Sequence, residues 1–187
     1  LGVGGGQSTA FHVTNPNPVF RLQNGGSYFD YAHTSGNDLE ISYNGGSALL
    51  HLTNGGNVGI GTASPDGRLH VHTATAGSIT ARSDGDDLVV ENSAHGGISI
   101  LTPDDQFSNL IFGSPSDSRG AVLDYSHSTK VLNIGSDVAS GQVAIKIAAG
   151  TEAVRIDASG NVGIGTTSNT ALLAGANNSL QVGLSLI

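Results

Sequence analysis

The octapeptide "GGNVGIGT", residues 55–62, returns as "SGNVGIGT", residues 159–166. Asn57 of the first copy corresponds to Asn161 of the second. A glycine-rich loop after a strand can cradle phosphate, but neither copy has the G-x-G-x-x-G spacing or the lysine of G-x-x-x-x-G-K-[ST]. No apolar-periodic helix follows, so no helix N-terminus is on offer for an anion. The aspartate of the calcium-binding glycine repeat is missing as well.

The repeat extends beyond the octapeptide. "LEISYNGGSALLHLTNGGNVGIGT" (39–62) aligns without a gap to "VAIKIAAGTEAVRIDASGNVGIGT" (143–166). Leu39, Ile41 and Tyr43 match Val143, Ile145 and Ile147. Leu50 and Leu52 match Val154 and Ile156, and Val58 and Ile60 match Val162 and Ile164. Every set has a period of two, the signature of a strand with one apolar face. Between the sets sit "NGG", "AAG", "TNGG" and "ASG", turn sequences that accept positive φ. "FHV" (11–13), "LHV" (69–71) and "LQV" (180–182) read as one recurring strand, and "LGVG" (1–4) resembles "VGIG" (58–61).

The chain is therefore expected to be a slice of a serial β array. Residues 1–4 end one junction, 5–56 form a short β unit, and 57–66 form a GNVGIGT junction. A long β unit spans 67–160, and 161–187 hold the second junction and the start of a further repeat. Val58, Ile60, Val162 and Ile164 give each junction strand a greasy face; Gly59, Gly61, Gly163 and Gly165 leave the other nearly bare. Bare backbone in a strand is costly unless something packs closely on it. Strands this short also leave apolar faces in water when alone. The fold expected is all-β: an elongated, intertwined homotrimeric fibre of short strands and β-prism or sandwich-like units, with these eight residues packing at the axis. A single-chain β-sandwich or β-solenoid is the alternative, and unequal unit lengths speak against a regular solenoid.

Composition bounds the function. There are 28 glycines, 12% charged residues, and no Cys, Met or Trp among 187 residues. Long helices are disfavoured, and there is no disulfide frame or cysteine metal site. A net charge of −8 speaks against nucleic acid, and no apolar run is long enough to insert in a membrane. Because the first residue is Leu1, the chain is expected to be a fragment or a processed product.

The segment "DDLVVENSAHGGISILTPDDQFSNLIFGSPSDSRGAVLDYSHSTKVLNI" (86–134), continuing to "AVRIDASGNVGIGTTS" (153–168), resembles phage tail-fibre sequences, marine phages in particular. The ending is similar to bacterial surface fibres too. The resemblance covers most of 67–168 and implies a homotrimeric, β-rich fibre on a virion tail. Its partners would be further copies of itself, other tail components, and a glycan or protein receptor on the host surface. A bacterial surface adhesin, or a tail spike that cleaves polysaccharide, are the alternatives. Segment 5–56 departs from the family run apart from its ending.

Few side chains suggest chemistry, and no cofactor motif is present. His70 and His72 share a strand face, and three chains would gather six imidazoles, enough for an octahedral metal. Leu69 and Val71 are the apolar set, however, so both histidines are expected to face outward with no metal. Asp84, Asp86 and Asp87 sit in an acidic turn, but the twelfth position of a calcium loop would be His95. Glu40, Glu91, Asp104, Asp105, Asp124, Glu152 and Asp157 show no pairing by spacing, and no catalytic residue is assigned. "YFDYAH" (28–33) is the densest aromatic patch, expected to pack rather than to bind a ligand.

Overall fold

A computed structural model describes residues 15–167 and the backbone of residues 180–182. The expected strand at 11–13 and the opening "LGVG" lie outside the described residues. The chain forms two compact units, Leu1–Ile98 and Ser99–Ile187. The described residues are all-β and fall into three sheets, as the period-two pattern demands.

The first unit is one seven-stranded sheet, built in sequence order. Its strands are β1 (Val19–Asn24), β2 (Ser27–His33), β3 (Leu39–Tyr43), β4 (Ala48–Leu52), β5 (Val58–Ile60), β6 (Leu69–His72) and β7 (Leu88–Glu91). The first five pair antiparallel. The last two are added parallel, after connections 61–68 and 73–87. The second unit holds a three-stranded sheet of β8 (Phe107–Ser114), β9 (Asp117–Ser126) and β10 (Val131–Ser136), with β9 central. It also holds a four-stranded sheet of β11 (Val143–Ile147), β12 (Thr151–Ile156), β13 (Val162–Ile164) and β14 (Leu180–Val182).

The sequence repeat is a structural repeat, down to its irregularities. Leu39 pairs with Leu52, which pairs with Val58, which pairs with Leu69. In the other copy Val143 pairs with Ile156, then Val162, then Leu180. "LHV" and "LQV" occupy the same place, parallel to the octapeptide strand. A register shift falls between Ile41 and Ser42 in one copy and between Ile145 and Lys146 in the other. Each is a bulge that leaves one extra residue, Leu49 or Ala153, outside the pairing.

Those bulges explain the octapeptide. The Gly61 N–H donates to the Leu49 carbonyl at 3.1 Å, and the Gly165 N–H donates to the Ala153 carbonyl at 2.9 Å. Both glycines have positive φ, +77° and +67°. The second glycine of G-I-G thus turns the chain out of the strand and satisfies the carbonyl that the bulge frees. Upstream, Thr53 N–H bonds the Asn57 carbonyl and Asp157 N–H bonds the Asn161 carbonyl, at 2.9 and 3.0 Å. The repeated motif is the lock between a hairpin and the chain's exit from it.

Alternation gives the first sheet an apolar and a polar face, and the usual assignment of which one is covered is inverted. In the first sheet the apolar rows are Leu22–Phe29–Tyr43, Phe20–Tyr31–Ile41–Leu50–Ile60–Val71–Val90, and Leu39–Leu52–Val58–Leu69–Leu88. None of their members is buried: nine are exposed, from 39% at Tyr31 to 58% at Phe20, while Ile41, Leu50, Leu52, Val58, Leu69 and Val71 are half-buried. The polar face carries the buried groups Asp30, Ser42, His51 and His70. Among the described residues only Ala48 and Val122 are buried hydrophobics, whereas an ordinary domain hides its large apolar side chains. In the second unit Leu110, Phe112, Leu132 and Ile134 are exposed on one face of the β8–β10 sheet, and Ile145 and Ile164 on the other sheet. The opposite face of the β8–β10 sheet is mixed: buried Asp124 and Ser126 share it with exposed Phe107, Ile111 and Val131.

Candidate functional site

Two regions draw together the residues singled out by the sequence. The first is the apolar face around the octapeptides. Ile60 and Ile164 project from it with 43% and 41% of their surface exposed, and Val58 and Val162 beside them are half-buried. Gly59 and Gly163 lie on the opposite face and are buried. The close approach that Gly59 and Gly61 permit is made by their own chain. A Cβ on Gly59 would overlap the Thr62 carbonyl, and one on Gly61 the His72 carbonyl.

The second region is the polar face of the first sheet. One row across it reads Glu40, His51, Gly59, His70, Val89. His70 and His72 lie on this face, opposite Leu69 and Val71 as alternation requires, but His70 is covered by the chain's own loops. His70 is 2% exposed. Segment 61–68 folds back over the row: Thr62 fills the place left by Gly59, and the Asp66 N–H donates to His70 Nδ1 at 3.2 Å. Connection 73–87 closes the other side, with Asp86 and Asp87 carbonyls accepting from Arg68 and Leu69 N–H at 2.8 and 3.0 Å. Alternation sets which side chains share a face; which face the chain's own loops cover is decided by those loops.

Glu91 joins the two histidines. Its Oε2 is 3.1 Å from His70 Nε2 and 3.9 Å from His72 Nε2, and its Oε1 accepts the Ala76 N–H at 2.6 Å. That N–H holds the Glu91 carboxyl below its ordinary range; burial opposes the shift, and Thr75, His72 and His70 reinforce it. Asp66, His70 and Glu91 bring two carboxylates and one imidazole within 4.8 Å of one another. The tautomer argues against an ion there. Nδ1 of His70 accepts a hydrogen bond from a backbone N–H, so the neutral ring carries its proton on Nε2. That Nε2 faces Glu91, close but out of line for a hydrogen bond. A metal on Nε2 would put a protonated Nδ1 against the Asp66 N–H, donor against donor. The cluster reads instead as a clamp that fastens β6, β7 and both connections.

His51 was not singled out by sequence. It lies 3.3 Å from Asp38 Oδ2 through Nε2 and 3.4 Å from Glu40 Oε2 through Nδ1, buried on the same row. The signal was present: a histidine in the polar slot of "ALLHL", aligned with Arg155 of the second copy. Arg155 pairs with Glu152 at 2.6 Å. Both copies therefore place a cationic or protonatable side chain beside the first glycine of the G-I-G, Gly59 or Gly163.

Asp84, Asp124 and Asp157 have local partners. Asp84 pairs with Arg82 at 2.8 Å on the surface. Buried Asp124 accepts from Asn133 Nδ2 at 2.7 Å and Arg119 Nη2 at 3.1 Å, and Arg119 also pairs with Asp137. Asp157 caps its own turn by accepting Ser159 and Asn161 N–H, both at 2.9 Å. Asp66 and Glu91 share a cleft of about 370 Å³, yet the lining contains no aromatic platform for a polysaccharide. Among the described residues no helix is long and apolar enough to cross a membrane.

No protein-family model and no curated protein matches the chain.

Proposed function

We propose that this chain is the repeat-bearing segment of a homotrimeric β-fibre, carried on a phage tail, that mediates or spaces attachment to a host cell surface. The observation that carries the reading is the inversion of burial. The first sheet spends its own loops and ion pairs on its polar face and leaves its apolar face open, and both sheets of the second unit leave apolar rows open as well. A half-exposed Leu, Ile or Phe gains about 1 kcal/mol when the rest of its surface is covered. Rows of such residues supply enough to offset the loss of freedom on association, about 4–15 kcal/mol. Two further copies of the same chain are the natural cover, because a closed symmetric assembly buries every such face at once. The sequence resemblance at 86–134 and 153–168 selects three copies and the tail-fibre setting.

A bacterial surface fibre of the same architecture is the second reading, since the octapeptide ending is similar to both. Fluorescently labelled protein that binds host cells and competes with phage adsorption supports the tail-fibre reading. Loss of capsule viscosity on incubation would instead make the chain a polysaccharide-cleaving spike.

A further inference from the structure

The apolar face of the first sheet changes character at its β1–β2 hairpin end. Beyond the row Leu22–Phe29–Tyr43 comes the pair Asn24–Ser27, and polar groups enter a face that is otherwise hydrocarbon. A cleft of about 270 Å³ opens there, lined by Leu22, Gln23, Asn24, Ser27, Tyr28, Phe29 and Tyr43. The Phe29 and Tyr43 rings stand 5.2 Å apart, tilted by 53°. They form an open aromatic angle, with Phe29 and Tyr43 each 43% exposed. The Tyr43 hydroxyl donates to Ser27 Oγ at 3.0 Å. That leaves the serine proton to donate and the tyrosine oxygen to accept. Asn24 adds both a donor and an acceptor.

Aromatic surface beside a few fixed hydroxyl and amide groups is the composition of a small-ligand site. The lining carries no carboxylate, lysine or arginine, so the ligand is neutral. Its volume lies just below the usual range for a drug-sized molecule, which suits one ring rather than a peptide. A ligand with an apolar C–H face and a girdle of hydroxyls matches: a neutral pyranose. Covering this end with another copy would strip water from Asn24, Ser27 and the Tyr43 hydroxyl, which is unfavourable without new partners. The assembly contact is therefore expected to stop short of the hairpin. We propose that the cleft binds one neutral sugar unit of a cell-surface glycan. The cell-surface source rests on the fibre reading above; the chemistry of the cleft does not.

Saturation-transfer NMR on the full chain tests this, with the methyl glycosides of glucose, galactose and mannose and with N-acetylglucosamine as probes. At least one is expected to receive magnetisation through its ring C–H groups. Asn24→Ala and Tyr43→Phe are expected to weaken it about tenfold, by removing hydrogen bonds to the ligand, with the sedimentation mass unchanged. No transfer to any probe overturns the proposal, and so does transfer that keeps wild-type affinity in both variants. The cleft lies within one chain, so a monomeric mass would end the fibre reading and leave this result to stand or fall separately.

Discussion

Replacing Gly61 by alanine adds one methyl group at a place with two separate demands. The backbone there has φ +77°, a left-handed conformation that costs an L-residue about 1–2 kcal/mol. The new Cβ would also lie closer than 3.0 Å to the His72 carbonyl oxygen, in backbone that cannot swing aside. Overpacking of this kind costs about 1–3 kcal/mol. Together they predict a loss of about 2–5 kcal/mol. Two controls separate the terms. Gly56 has φ +86° but would meet only the end of Arg68, at 3.7 Å, so Gly56→Ala should lose only the first term, about 1–2 kcal/mol. Gly26 has neither a positive φ nor a neighbour within 4 Å, so Gly26→Ala should stay within about 0.5 kcal/mol of the parent. The assay is thermal unfolding followed by circular dichroism at one fixed protein concentration, because association makes the midpoint concentration-dependent. Gly61→Ala must melt lowest, then Gly56→Ala, then Gly26→Ala. Equal midpoints for Gly61→Ala and Gly56→Ala would refute the close packing of β6 on the octapeptide, and three equal midpoints would refute the whole account of the motif.

Ile60→Asp and Ile164→Asp each place a charge on an open apolar face, which a lone chain tolerates and an assembly does not. Both are expected to keep the β spectrum and lose oligomeric mass on sedimentation; full-mass assembly would show that the octapeptides lie outside the contact. Ala149 sits at φ +55° where the first copy has Gly45 at +66°. Ala149→Gly relieves about 1–2 kcal/mol of strain against an entropy cost of about 0.5–1, so a small rise in melting temperature is expected; a fall would contradict the turn assignment. Asp30 is held below its ordinary 3.8 chiefly by Arg21, and Asp157 below 3.8 chiefly by the Asn161 side chain. Glu91 is held below 4.5 chiefly by the Ala76 N–H, and Glu152 below 4.5 chiefly by Arg155. Because the folded values lie below the unfolded ones, their stabilisation is complete above those ordinary values and is lost as pH falls through the lowered ones. Denaturant midpoints should be level from neutral pH to about 5 and then decline; a midpoint that rises below pH 4.5 would overturn the assignment.

The strands were legible because the sequence states them twice. Ile41, Leu50 and Ile60 recur as Ile145, Val154 and Ile164, and a pattern repeated in register is hard to produce except by the same hairpins. "LHV" was recognisable as a strand, yet its parallel pairing with the octapeptide was not, since alternation carries no direction. The glycines were ambiguous for a physical reason. A bare strand face announces close approach without saying by what, and the partners of Gly59 and Gly61 are Thr62 and His72, within a few residues to about ten along the same chain. The burial of His70 was not legible because alternation tells which residues share a face, whereas burial depends on where 61–68 and 73–87 return. His51 escaped because its partners Asp38 and Glu40 come together only through the β3–β4 register. In the aromatic run 28–33, Phe29 and Tyr31 share the apolar face as alternation requires, while the cleft depends on Asn24, Ser27 and Tyr43 from three different strands.

The central claim is that the open apolar faces are covered by further copies of the chain. Sedimentation equilibrium on the 187-residue protein tests it most directly. The account predicts a single species of about 56.4 kDa, three times the 18.8 kDa of one chain. A single species of 18.8 kDa that stays monomeric as concentration rises would contradict it.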